Sequence, residues 1–290
     1  MTNPLHASYY ADSAVQVRVP VVENRKIARE TYQLRFDCPQ LARRILPGQF
    51  VMLRLAGTAD PLIGRPLALY DTAPDAHGEP CGVEVVYVVK GNLTSRLCRL
   101  ERGGEIVVWG PLGNGFAKRT PRHLIMVAGG IGQTPMLALA RERLGMQSFG
   151  DPLRVVGKAE RVTLCYGART AGYLAGLDDF QALNLDLRLA TDDGSCGHRG
   201  LVTELLSRVL DEDEGHAEIV CCGPEVMMKK VAEMAIHRGV PCQVSLETPM
   251  ACGIGVCFTC VAKVSCGDGW DYQRTCVEGP VFEAQDLVWS

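Results

Sequence analysis

The chain has 290 residues, 47% hydrophobic and 22% charged, with a formal net charge of −3. That composition suits a globular protein of two or more domains and offers no basic footprint for nucleic acid. No uninterrupted apolar run approaches the roughly 20 residues of a membrane-spanning helix, and residues 1–10 have neither the basic start nor the apolar stretch of a secretory signal; a cytoplasmic location and no membrane span are expected.

Residues 15–22, 31–36, 49–55, 83–89 and 105–109 are short alternating runs, punctuated by Pro47-Gly48, Pro61, Pro74 and Gly103-Gly104. Such runs predict an all-β sandwich or barrel. After Pro121 the pattern changes: strands over 123–128, 161–166, 185–190 and 218–222 alternate with helices over 136–144, 201–210 and 225–238. This alternation predicts a parallel sheet covered on both faces. Residues 147–160, broken by Gly150, Asp151-Pro152 and Gly157, read as a surface insertion. From Pro241 the chain leaves the α/β pattern, with strand-like pieces only at 243–247 and 259–264. The expected domains are 12–118, 119–240 and a small module over 241–290.

That module holds Cys252, Cys257, Cys260 and Cys276, in the order C-x4-C-x2-C followed by one further cysteine. This is the plant-type spacing for a 2Fe-2S cluster. Gly253 and Gly255 let the loop wrap closely around an inorganic core. A structural zinc site usually has two C-x2-C knuckles, and this segment has one. Cys266 is an alternative fourth ligand, ranked below Cys276 because only five residues separate it from Cys260. The remaining nine of the thirteen cysteines read mostly as small buried hydrophobes, as expected in a reducing compartment.

Gly129-Gly130-Ile131-Gly132-Gln133-Thr134-Pro135 links a strand to a helix, with Thr134 suited to cap it and Pro135 to begin it. Glycines there let backbone N–H groups approach a pyrophosphate at a helix start. Cys221-Cys222-Gly223-Pro224-Glu225 ends a second strand in the same way, and two such ends define the crevice where open α/β sheets bind ligands. Arg169, after a third strand, reads either as a neighbour of the nucleotide or as a solvated side chain; it stands alone, with no basic cluster for a 2′-phosphate. In the β half, Gly64-Arg65-Pro66-Leu67-Ala68-Leu69-Tyr70 and Gly91-Asn92-Leu93-Thr94-Ser95 offer a guanidinium and free backbone N–H groups, which a flavin nucleotide's pyrophosphate requires. A flavin is also what the chemistry needs, because nicotinamide delivers two electrons as hydride while a 2Fe-2S cluster takes one at a time.

Taken in order, Arg65-Pro66-Leu67-Ala68, the segment Gly110-Pro111-Leu112-Gly113-Asn114-Gly115-Phe116, the glycine loop, Cys222-Gly223-Pro224 and the cysteine quartet resemble the ferredoxin-NADP reductase superfamily. Within it the order is most similar to electron-transfer subunits of two-component, NAD-dependent dihydroorotate dehydrogenases, from about Ala14 onward. Glu247-Thr248-Pro249-Met250-Ala251-Cys252 and Cys276-Val277-Glu278-Gly279-Pro280 are its most specific pieces.

The resemblance implies an antiparallel FAD-binding β-barrel, an NAD-binding α/β domain and a C-terminal 2Fe-2S module. It implies Arg65 at the flavin phosphate, followed by Pro66, with Leu67, Ala68 and Leu69 lining the isoalloxazine. Gly91, Asn92, Leu93, Thr94 and Ser95 would take the flavin pyrophosphate. Gly130, Ile131, Gly132, Gln133 and Thr134, with Cys222, Gly223, Pro224 and Glu225, would face NAD(H). Cys252, Cys257, Cys260 and Cys276 would ligate the cluster, and no catalytic residue is assigned. At Ala68 the family usually has a serine, whose hydroxyl can hydrogen-bond the flavin.

The implied function is electron relay between NAD(H), FAD and the cluster, to or from an FMN-containing catalytic subunit that oxidises dihydroorotate in pyrimidine biosynthesis, two copies of each subunit forming a heterotetramer. The cluster loop, residues 250–260, is expected near that partner, with Phe258 either an apolar contact there or part of the module's own core. Alternatives are the small subunit of a sulfhydrogenase, or of an NADH-dependent ferredoxin:NADP oxidoreductase, and, more remotely, a non-catalytic metal-binding scaffold.

Overall fold

The structure is a computed structural model that describes residues 13–213 and 215–289. Residues 1–10, read above for a signal, and residue 12, the expected first domain boundary, lie outside the described residues.

Six strands close an antiparallel barrel: β1 (Val15–Ala28), β2 (Thr31–Asp37), β3 (Phe50–Leu55), β4 (Arg65–Pro74), β5 (Pro80–Val88) and β6 (Glu105–Leu112), in the order β1-β2-β5-β4-β3-β6. The alternating runs explain five of them: inward residues such as Leu34, Phe36, Val51, Leu53, Val83, Val85, Ile106 and Val108 fill one core. β1 runs six residues past its expected end because it pairs with β6 over its first half and, through a bulge, with β2 over its second. β4 begins at Arg65, directly after the Gly64 turn, and pairs with β3 so that Ala68 stands opposite Phe50.

The second unit runs β7 (His123–Gly129), α3 (Met136–Leu144), β8 (Arg161–Ala168), α4 (Leu177–Gln181), β9 (Asp186–Thr191), β10 (His198–Arg199), α5 (Val202–Asp211), β11 (Ala217–Cys222), α6 (Glu225–Arg238) and β12 (Cys242–Ser245); short helices α1 (Pro39–Ala42) and α2 (Asn92–Leu97) belong to the barrel. Alternate residues of β7 point to opposite layers. Ile125 and Val127 pack under α5 and α6, while Leu124, Met126 and Ala128 pack under α3 and α4. A strand buried on both faces explains the continuous apolar run that the sequence shows. The parallel order is β10-β9-β8-β7-β11-β12, so the direction of winding reverses between β7 and β11.

Two expectations change. The α/β pattern does not end at Pro241, because β12 pairs in parallel with β11. A hairpin of β13 (Val261–Cys266) and β14 (Gly269–Arg274) follows, and β15 (Val281–Glu283) then returns antiparallel to β12 as the sheet's edge. Residues 147–160 are also more than a surface insertion. Phe149 enters the barrel core, and Arg154, 7% exposed, reaches Glu142 of α3 at 2.6 Å and the Phe116 carbonyl at 2.6 Å. A buried guanidinium needs such partners, and the insertion therefore fastens the barrel to α3.

Candidate functional site

The reversal between β7 and β11 opens a cleft of about 1360 Å³ along the C-terminal ends of the parallel strands. Gly129, Gly130 and Ile131 form one lip, and Gly223, Pro224 and Glu225 the other. The lips meet backbone to backbone: a Cβ on Gly132 would stand 2.2 Å from the Cys222 carbonyl oxygen. Residues 130–133 form a 3₁₀ turn, and α3 begins only at Met136. Thr134 is thus not the cap expected of it; it is buried in helical backbone, and no side-chain cap bond forms at this end of α3. Gln133 is fully buried behind the wall, with neither amide atom hydrogen-bonded. At the far end the cleft takes in Arg169 and Asp192. Arg169 is not alone: its guanidinium and that of Arg29, from the β1–β2 turn, both lie over the Tyr173 ring, at 5.8 and 5.3 Å.

A second cleft, of about 780 Å³, adjoins the first and is walled by the barrel. Arg65, Pro66, Leu67 and Ala68 line it, whereas Leu69 is fully buried in the barrel core. Of the segment 91–95, Thr94 reaches this cleft, its hydroxyl accepting the Lys90 N–H at 2.7 Å. Asn92 is turned to Asp60, and Leu93 is buried in the barrel core. Lys90, Ile131, Glu247 and Thr248 line both clefts. Crowding by protein raises the Glu247 carboxyl, offset by Lys90, and burial followed by Glu247 raises the Cys222 thiol. Sequence reasoning gave Lys90 and Glu247 no role, although Glu247 opens the motif that runs into the first cysteine of the quartet.

The far wall of the second cleft is the cysteine module. Met250, Cys260, Cys276 and Val277 pack on Phe50, Met52 and Leu112 of the barrel. The four thiols stand as two pairs. The Cys257 thiol is pulled down to about 6, first by the Thr259 hydroxyl at 3.2 Å, then by the Thr259 backbone N–H, with Cys252 as a further partner. The Cys260 thiol is pulled down to about 6 by Cys276, whose own thiol is held well above its ordinary value. Metal ligation needs thiolates, and the surroundings favour them at Cys257 and Cys260. Among the described residues no three His, Cys, Asp or Glu side chains surround a single-ion position; two pairs fit a two-iron core, two thiolates to each iron. Cys266 is exposed at the tip of the β13–β14 hairpin, whereas Cys276 is buried beside Cys260. The Thr275 N–H and hydroxyl both donate to the Cys260 carbonyl, at 2.6 and 3.0 Å. Phe258 is 63% exposed, its ring under the Arg274 guanidinium at 5.3 Å.

Comparison with known proteins agrees with this geometry. Residues 247–288 match the iron-sulfur cluster binding domain of dihydroorotate dehydrogenase B, and residues 126–233 match the oxidoreductase NAD-binding domain. The chain is 36% identical to the dihydroorotate dehydrogenase B (NAD(+)) electron transfer subunit of Desulforamulus reducens, covering 91% of this chain and 95% of that one. Against the subunit of the same name from Clostridium acetobutylicum the identity is 35%, over 92% and 95%. A solved structure of an NADH-dependent reduced ferredoxin-NADP oxidoreductase, described for flavin-based electron bifurcation, superposes with a TM-score of 0.76 at 30% identity, covering 93% of this chain and 90% of that one. Phthalate dioxygenase reductase, at 19% identity and a TM-score of 0.58 over 90% and 94% of the two chains, shares the fold.

Proposed function

This chain belongs to the family of electron-transfer subunits of dihydroorotate dehydrogenase B, and from that premise we propose how its residues carry electrons and to what. It is an oxidoreductase subunit that relays electrons between NAD(H), FAD and a 2Fe-2S cluster. Bound in adjoining clefts, a flavin exchanges a hydride's two electrons with nicotinamide and passes them singly to a cluster.

One observation carries the reading. Ala251 and Thr259 stand in the wall of the flavin cleft, and the residues that follow them, Cys252 and Cys260, belong to different thiol pairs. Each pair lies one residue from this cleft's wall, so both halves of the thiol set would stand close to a flavin held there. Arg65 binds the flavin phosphate, the β4 segment from Pro66 to Ala68 walls its ring system, and Thr94 with Lys90 closes the pyrophosphate end. The lips at Gly130 to Ile131 and Gly223 to Glu225 bind the nucleotide. Ile131 and Cys222, which reach the flavin cleft, direct the nicotinamide toward the barrel.

The partner is the FMN-containing catalytic subunit that oxidises dihydroorotate, assembled as two of each subunit in the cytoplasm. Residues 13–118 form the FAD unit and 119–240 the NAD unit, whose sheet β12 and β15 extend, and the cluster module proper lies between those two strands. Exposed Val256 and Phe258 on the cluster loop support docking there. Four ligand cysteines and buried free thiols suit a reducing compartment. A second reading, the small subunit of an NADH-dependent ferredoxin-NADP oxidoreductase, is favoured by the structural likeness alone; the subunit that co-purifies separates the two.

The test is an anaerobic NADH titration of the purified chain followed by visible absorbance and low-temperature EPR. Flavin bleaching followed by a rhombic 2Fe-2S signal is expected. A signal with dithionite but not with NADH would sink the relay while sparing the cluster.

A further inference from the structure

Besides Gly253 at φ +74°, the loop that carries Cys252, Cys257 and Cys260 has two backbone positions in the left-handed region within four residues, Gly255 at φ +80° and Phe258 at φ +56°. The second is costly for a bulky L-residue and persists only where the surroundings hold it. Both positions meet one side chain, Arg274 of β14. Its guanidinium Nη1 donates to the Gly255 carbonyl at 3.1 Å. A Cβ on Gly255 would stand 3.0 Å from that same nitrogen and 2.7 Å from Val277. The Phe258 ring lies beneath the guanidinium.

Arg274 is itself aimed from the segment of the fourth ligand. Glu278, two residues beyond Cys276, takes its guanidinium Nε at 3.2 Å and its backbone N–H at 2.7 Å, while the Arg274 carbonyl accepts the N–H groups of Val277 and Glu278. The Thr275 bonds to Cys260 also join the three-ligand loop to the fourth-ligand segment, at the buried end. Arg274 joins them at the solvent end, next to the exposed Cys257.

We propose that Arg274 is a positioning residue of the cluster site: it clamps the Cys252–Cys257–Cys260 loop to the Cys276 segment and shields the cluster's outer edge with the Phe258 ring. The inference rests on the iron-sulfur reading above. An ammonium cannot reproduce it, because the site uses the planar fork toward Gly255 and Glu278 together with the flat face over Phe258.

The test uses the full chain with Arg274→Lys, Arg274→Gln and Glu278→Gln, each assayed for FAD content, EPR line shape of the dithionite-reduced protein and rate of iron loss to a ferrous chelator. Expected are normal FAD content, at least tenfold faster iron loss and a broadened EPR signal in both Arg274 variants, with Glu278→Gln intermediate. A wild-type line shape and wild-type iron loss in Arg274→Gln overturns the proposal, and an unimpaired Arg274→Lys overturns its geometric part. Should Arg274→Gln fail to fold, judged by absent FAD, Glu278→Gln decides: unchanged iron loss overturns, accelerated loss supports. A wild-type chain without acid-labile sulfide would instead count against the iron-sulfur reading itself.

Discussion

Trp109, on barrel strand β6, donates its indole N–H to the carbonyl oxygen of Cys252 at 2.9 Å. The barrel thereby holds the backbone of the first cysteine of the quartet. The same ring packs against the turn that launches Arg65, where a Cβ on Gly64 would stand 2.7 Å from it. Trp109→Phe keeps most of the apolar contact and removes the bond, which should cost about 1 kcal/mol. Lower iron and sulfide per chain with unchanged FAD content is expected. Equal iron content and equal melting temperature would show that the bond does not secure the loop.

The two candidates for fourth ligand separate cleanly by substitution. Cys276 is buried beside Cys260, and Cys276→Ser should abolish the 2Fe-2S EPR signal or shift it to that of a site with one oxygen ligand. Cys266 is exposed at a hairpin tip, and Cys266→Ser should leave signal and iron content as in the wild type. The reverse pattern would reassign the ligand.

What the sequence made legible follows from how local each signal is. The barrel strands and the strands of the parallel sheet are short-range patterns of burial, and inward residues such as Leu34 and Ile125 bear them out. The return of β15 to β12 is not local. It depends on Val281 and Phe282 finding Ser245 and Val244 after a 35-residue excursion through the cysteine hairpin, and three residues carry too little periodicity to announce a strand. The anchoring of the 147–160 loop is hidden for a related reason: its glycines and proline are loop signals, whereas the partner that buries Arg154 is Glu142, on the preceding helix. The pairing of Arg29 with Arg169 was likewise hidden, since only the docking of the β1–β2 turn, through the Arg29 N–H to the Gly172 carbonyl at 2.8 Å, brings them to one ring.

The Arg154–Glu142 pair gives the sharpest stability prediction. Both side chains are almost completely buried, with contacts at 2.9 and 2.6 Å. Removing Arg154 leaves the buried Glu142 carboxylate facing Arg143 at 3.9 Å without its two close bonds, which costs about 3–5 kcal/mol. Arg154→Met should therefore lower unfolding free energy by that amount in urea titration, whereas the double variant Arg154→Met with Glu142→Leu should recover a substantial part. Single and double variants of equal stability would mean that the pair's charge is not what matters.

Asp71 of β4 faces Arg141 of α3 at 3.1 Å across the junction of barrel and sheet. Burial pushes its carboxyl up to about 6 from 3.8, against the opposing pull of Arg141 and the Thr72 N–H. A raised folded-state value means that between about pH 4 and 6 the folded chain keeps a proton that the unfolded chain has released. Stability contributed by this group is thus greatest below that window and is lost as pH rises through it. Other carboxylates, such as Asp186, held down among Arg161 and Arg188, act in the opposite sense, so the measurement must be a difference. The unfolding free energy of the wild type minus that of Asp71→Asn should fall from pH 4 to 6 and level off above. A difference independent of pH would place the Asp71 carboxyl at an ordinary value and leave the junction without this titration.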